Sequence, residues 1–183
     1  MDINQIVTLD LWMIVPLFLI GSVLHFTYDW SKHNKFVAIF SAVNESYWEH
    51  IKIAFWPLFL LYLIEFFSGG YKLSSFIPAK TIALYTVPIA MTAITYGYKY
   101  ITKKNILALD ISSFFVVIAI AQLTGTQFLK ELSASWLTIV ISISFLIVIL
   151  ISFLIFTKNP PKDSDLFIDP LTSDYGLKGH GHK

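Results

Sequence analysis

Five long apolar segments decide what this chain can fold into. Between Ser135 and Phe156 no residue is charged, and about 20 apolar residues are what an α-helix needs to cross a bilayer core. Shorter or more interrupted runs fall at about residues 11–28, 48–67, 81–98 and 106–123. Segments of this length in lipid must satisfy their own backbone polar groups, which selects helices. The sequence therefore predicts an all-α, polytopic membrane protein with five transmembrane helices in residues 1–157. A polar, proline-bearing tail follows in 158–183. The expected setting is multi-pass in a cell membrane, with the lipid bilayer as first partner.

Composition narrows the function classes. The chain is 56% hydrophobic and 14% charged, with a net charge of +1. Nothing in that balance points to nucleic acid. All thirteen basic residues are lysines, so the bidentate phosphate fork of arginine is missing. With no cysteine, disulfides, thiolate catalysis and cysteine-based metal sites are excluded. The N-terminus carries Asp2 and Asp10 but no early lysine. It therefore does not read as a cleaved signal peptide.

Lysines also predict orientation. Lys72, Lys80 and Lys130 fall on the N-terminal side of a five-span chain. Lys32, Lys35, Lys52, Lys99, Lys103, Lys104, Lys158, Lys162, Lys178 and Lys183 fall on the other. Positive loops stay in the cytoplasm, so the N-terminus is expected outside and the C-terminus inside.

The chemistry concentrates in Asn44-Glu45-Ser46-Tyr47-Trp48-Glu49-His50-Ile51-Lys52. Ser46 reads as a helix N-cap with Glu49 as its capping-box partner. Glu45, Glu49 and Lys52 share a helix face, at spacings of four and three. Two carboxylates so placed repel unless a cation sits between them; Lys52 or a metal ion would serve. The plainer reading is a capped helix start, a Glu49–Lys52 pair and Trp48 as an interface anchor. His25 and Asp29 lie four apart at the end of the first span, and Asp110 lies near the start of the fourth. With the predicted topology, His25, Asp29, Glu45, Glu49, His50 and Asp110 reach one depth near the cytoplasmic face. Ionisable groups there must pair with one another, with lysine or with a metal.

Other polar features read as structural. Pro57 should kink the second span, and Glu65 at its far end should snorkel. Residues 36–40 are apolar but too short to cross, so an interfacial or re-entrant segment is expected. Thr81, Tyr85, Pro88, Thr92, Thr95 or Tyr96, and Lys99 form a polar stripe facing other helices. Thr124-Gly125-Thr126 should end the fourth span. Phe167–Gly176 mixes apolar and turn residues, and should pack on the bundle. His180 and His182 form a terminal pair of adventitious metal-binding type.

The Asn-Glu-Ser-x-Trp-Glu-His-x-Lys pattern of residues 44–52 resembles that of a family of small multi-span prokaryotic membrane proteins of unknown function. His25 and the run Asp169-Pro170-Leu171-Thr172 with Tyr175-Gly176 are similar too. The resemblance implies a helical membrane fold and carries no activity. Membrane hydrolases of the alkaline-ceramidase type share residue types with this chain, but not their spacing or number of spans.

Two functional expectations follow. One is a metal-dependent membrane hydrolase of a lipid or lipid-linked substrate. His25, Asp29, Glu45 and His50 would hold a divalent metal such as zinc; Glu49 or Asp110 would act as general base, and Lys52 would stabilise an oxyanion. The other is a small transporter or proton-coupled binding protein, with the buried His and carboxylates relaying protons and the polar face of span three lining the path. A structural subunit without chemistry is the third.

Overall fold

The computed structural model describes residues 1–104 and 106–179; His180 and His182 lie outside the described residues. Five helices form the body: α1 (Ile3–Trp30), α2 (Tyr47–Phe67), α3 (Phe76–Thr102), α4 (Leu107–Glu131) and α5 (Trp136–Lys158). All five are long and apolar enough to cross a membrane. Short 3-10 turns fall at Val37–Ile39, Gly70–Lys72, Asp165–Phe167 and Gly176–Gly179.

α2 is the central helix. More than half of its span is buried inside the protein, against less than a fifth for α5. The reason is visible in the side chains. Ile51, Ala54, Phe55 and Leu58 of α2 are almost wholly enclosed. α5 instead turns Leu137, Ile141, Phe145, Ile147, Val148 and Ile151 outward. In water such a face would be unstable; in a bilayer it is the lipid surface. α3 packs most extensively on α4, and α1 packs on both α2 and α4.

Two glycines permit these close approaches. A Cβ at Gly21 of α1 would lie 2.7 Å from the Phe114 ring and 2.9 Å from the Ile53 carbonyl oxygen. At Gly125 of α4 a Cβ would meet the Ala83 side chain of α3 at 3.1 Å. Small residues let helix backbones approach in lipid, where packing replaces the hydrophobic effect as driving force. This corrects the expected end of the fourth span. Gly125 is a packing position, and α4 runs on to Glu131.

Two helices also begin earlier than hydropathy predicts. α1 starts at Ile3, because Asp2 and Gln5 form a reciprocal capping box: the Gln5 N–H donates to Asp2 Oδ1 at 2.9 Å and the Asp2 N–H to Gln5 Oε1 at 2.9 Å. α3 starts at Phe76 with Pro78 in its first turn, where a missing N–H costs nothing. These extensions draw Asp10 and Lys80 into the bundle. Glu65 does not snorkel; it is fully buried beside them. Lys80 Nζ lies 2.7 and 2.6 Å from the two Asp10 carboxylate oxygens and 2.7 Å from Glu65 Oε2. It also sits 4.2 Å over the Tyr62 ring. Gln122 of α4 closes the group: it accepts from the Tyr62 hydroxyl at 2.6 Å and donates to the Asp10 carbonyl at 3.0 Å. Four helices are thus tied at one end.

At the other end the tail is fastened to the bundle. Phe167 packs its ring 5.1 Å from Trp48 and 5.3 Å from Phe156. Asn44 Nδ2 donates to the Gly176 carbonyl at 2.9 Å, and the Tyr96 hydroxyl donates to Asp165 at 2.6 Å. Buried Asp169 shapes the intervening turn, accepting from the Leu171 N–H at 2.9 Å and the Thr172 hydroxyl at 3.0 Å. Trp48 is therefore not an interface anchor. It is buried among Phe153, Phe156 and Phe167, and its indole N–H has no acceptor among the described residues. Trp48→Phe should accordingly leave the thermal midpoint in detergent within a few degrees of wild type. Trp48→Ala should cost about 3–5 kcal/mol through the cavity it opens. A Phe variant as unstable as the Ala variant would contradict this packing account.

Candidate metal centre and pocket

The loop before α2 is built by side chains that bond backbone. Asn44 Oδ1 accepts from the Ser46 N–H at 2.9 Å, and Glu49 Oε2 accepts from the Val43 N–H at 3.0 Å. Ser46 is the N-cap residue of α2, but its side chain makes no capping bond. The expected Ser46–Glu49 capping box does not form, because Glu49 is turned back to the preceding loop and to Lys52. Lys52 Nζ lies 2.5 Å from Glu49 Oε2 and donates to the Ala38 carbonyl at 2.7 Å and to Thr157 Oγ1 at 3.3 Å. The apolar segment 36–40 is thus no re-entrant hairpin. Its 3-10 turn delivers a carbonyl to a buried ammonium. Glu49 and Lys52 are closed into this network, and neither lines the pocket described below.

Glu49 is turned inward, and Glu45 faces the other way, toward α1. Glu45 Oε2 lies 3.3 Å from His25 Nε2 and 3.9 Å from His50 Nε2. The two imidazole rings are 5.3 Å apart, centre to centre. One ligand atom from each of His25, Glu45 and His50 falls within 4.8 Å of the others. Two ligands about 2.0–2.1 Å from a tetrahedral zinc are roughly 3.4 Å apart, so small side-chain adjustments would admit an ion. His50 Nδ1 lies 2.9 Å from the Ser46 carbonyl oxygen. An Nδ1–H donated there leaves the Nε2 lone pair for a ligand, the arrangement common to metal-bound histidines. The Ser46 carbonyl is thus placed to orient the His50 ring, whereas Asp29 was expected among the ligands themselves. Asp29 instead lies 3.6 Å from His33, outside the group.

The group opens on a pocket of about 580 Å³, within the range of ligand sites. α1 contributes Phe18, Ser22, His25 and Phe26; α2 contributes Tyr47, His50 and Ile53; α3 contributes Met91, Thr95 and Lys99; α4 contributes Leu107, Asp110, Ile111 and Phe114. Pro170 and Leu171 of the tail complete the wall. Asp110 accepts a hydrogen bond from the Tyr98 hydroxyl. The lining is mainly apolar, with its titratable groups gathered at the end of the bundle where the tail lies. Phe26, Leu107 and Ile111, and Leu171 of the tail, line it and are also exposed, so it opens between α1 and α4 and beside the tail.

The polar stripe of α3 divides between two tasks. Tyr85 donates to the Phe145 carbonyl of α5 at 2.8 Å and Tyr96 bonds the tail, so both fasten helices. Thr95 and Lys99 line the pocket. The sequence placed Lys99 both in this stripe and among the loop charges of the same side. Its three-and-four spacing with Thr92 and Thr95 was the available signal. The Asp10–Glu65–Lys80 group was missed for another reason. Asp10 fell outside the predicted first span, although an acid next to an apolar helix requires a partner.

Comparison with characterised proteins and with solved structures finds no match. A family model covers residues 1–177 of the chain. The five-helix membrane protein described here belongs to DUF6512, a family of unknown function.

Proposed function

We propose that this protein is a metal-dependent membrane hydrolase acting on a lipid or lipid-linked substrate at the cytoplasmic face. The observation that carries the reading is the convergence of His25, Glu45 and His50 from α1, the α2 loop and α2 onto one pocket wall. Two imidazoles and a carboxylate are a zinc donor set that leaves a position open for chemistry. When bound, the ion supplies Lewis acidity and activates water at neutral pH. Asp110, held by Tyr98 on the opposing helix pair, is the residue available to accept a proton. The aromatic and aliphatic walls orient an acyl or prenyl chain and exclude bulk water. The test is direct. Protein purified without chelators should carry one transition-metal ion per chain and cleave lipid esters, with turnover lost on chelation and restored by zinc. A metal-free, fully active protein would end this reading.

The orientation belongs to the same proposal. Lys52 and Lys80 are buried and paired, so they do not act as loop charges. Removing them leaves Lys72 and Lys130 at the end that bears the N-terminus. Lys32, Lys35, Lys99, Lys103, Lys104, Lys158, Lys162 and Lys178 remain at the pocket end, with Lys183 following in sequence outside the described residues, so the bias persists. The Met1 ammonium donates to the Ser68 carbonyl at 2.6 Å, so the N-terminus and the α2–α3 loop share a side. Reporter fusions after Phe67 and after Glu131 should both read outside, and a fusion to Lys183 should read inside. Cytoplasmic signals from the first two would reverse the assignment.

A further inference from the structure

The geometry points to a phosphate-bearing lipid as the occupant of this pocket, with Lys99 as the residue that selects its anionic head. This rests on the metal reading above and adds the substrate class. Among the described residues Lys99 is the only lysine lining the pocket. Its ammonium lies 4.1 Å over the Tyr47 ring and 6.0 Å from the Tyr98 ring. Among the described residues no carboxylate lies within ion-pair distance of it, whereas Lys52 and Lys80 are each paired at 2.5–2.7 Å. Asp110, the acid nearest in role, is engaged by Tyr98. An ammonium held by aromatic faces keeps its charge available to a ligand.

Charge balance gives the sign of that ligand. With a divalent ion and its neutral water at His25, Glu45 and His50, before that water gives up a proton, the ion and Lys99 exceed ionised Glu45 and Asp110 by one positive charge. A neutral lipid would leave this excess uncompensated in an apolar pocket, which is costly. A phosphoryl group offers oxygens to both the ion and the ammonium, and lysine binds phosphate as a point charge without needing a fork. The exposed Phe26 and Ile111 at the mouth place the aliphatic chain toward the lipid.

The experiment uses the full chain in detergent, with metal content and lipid binding read on the same samples. Dioleoyl phosphatidic acid, dioleoylglycerol and oleate are compared by native mass spectrometry. Zinc-loaded wild type should bind phosphatidic acid about tenfold or more tighter than dioleoylglycerol, the size expected of a charged hydrogen bond. Lys99→Gln should erase that preference with zinc content unchanged, and Lys99→Arg should retain it. Zinc-bearing protein that binds dioleoylglycerol equally well overturns this inference alone. Oleate bound as tightly as phosphatidic acid overturns the phosphate assignment. Protein without zinc overturns the metal reading, and the charge argument with it.

Discussion

Lys80→Met is expected to destabilise the protein by about 3–5 kcal/mol, the usual result of removing one partner from a buried ion pair. The structure makes the upper part of that range reasonable. The ammonium serves two carboxylates, at 2.6–2.7 Å from both oxygens of Asp10 and from Glu65 Oε2. Asp10 and Glu65 are fully buried. Without Lys80, two acids from α1 and α2 would face each other in a low-dielectric interior. The penalty comes from the charges left behind, so neutralising them should relieve it. Asp10→Asn with Glu65→Gln, combined with Lys80→Met, should recover most of the loss. Non-additivity of this kind is the mark of residues acting as one group. Thermal unfolding of the single, double and triple variants in the same detergent provides the measurement. A Lys80→Met midpoint equal to wild type would show that the group does not hold the helices together.

His25→Ala, His50→Ala and Glu45→Ala should each abolish stoichiometric zinc. Loss of even an outer partner of a metal ligand costs about 10–100-fold in affinity, so loss of a ligand from a three-residue set should cost more. Asp29→Ala should leave zinc content unchanged, because its carboxylate lies toward His33 and not in the group. Folding should survive these substitutions. His25, Glu45 and His50 are each only partly buried, and the ion-paired group at Lys80 lies at the other end of the bundle. Elemental analysis together with thermal midpoints separates the outcomes. Variants that unfold would assign these residues a structural role. Variants that stay folded with wild-type zinc would remove them from the site.

Much of the membrane fold was legible from residue order alone. Five apolar runs of spanning length, in a chain with few charges, leave helices as the solution, because lipid offers the backbone no partner. The box of residues 44–52 was legible as a polar concentration at a helix start, and its resemblance led to the right kind of family. Which acid does what was not legible. Glu45 and Glu49 lie one helical turn apart in sequence spacing, yet Glu45 precedes α2 and meets His25 of α1. Glu49 is inside the helix and locks Lys52 to the Ala38 carbonyl. Their division depends on where α2 begins, which the Asn44 and Glu49 side chains set through contacts with backbone. Lys80 and Lys99 show the same limit. Residue type and spacing cannot say that one is spent on Asp10 and Glu65 while the other stands over Tyr47 in a pocket. Helix positions in sequence set which groups come to each depth. Only the rotation and packing of the helices, through contacts such as Gly21 against Phe114 and Gly125 against Ala83, decide which of those groups meet.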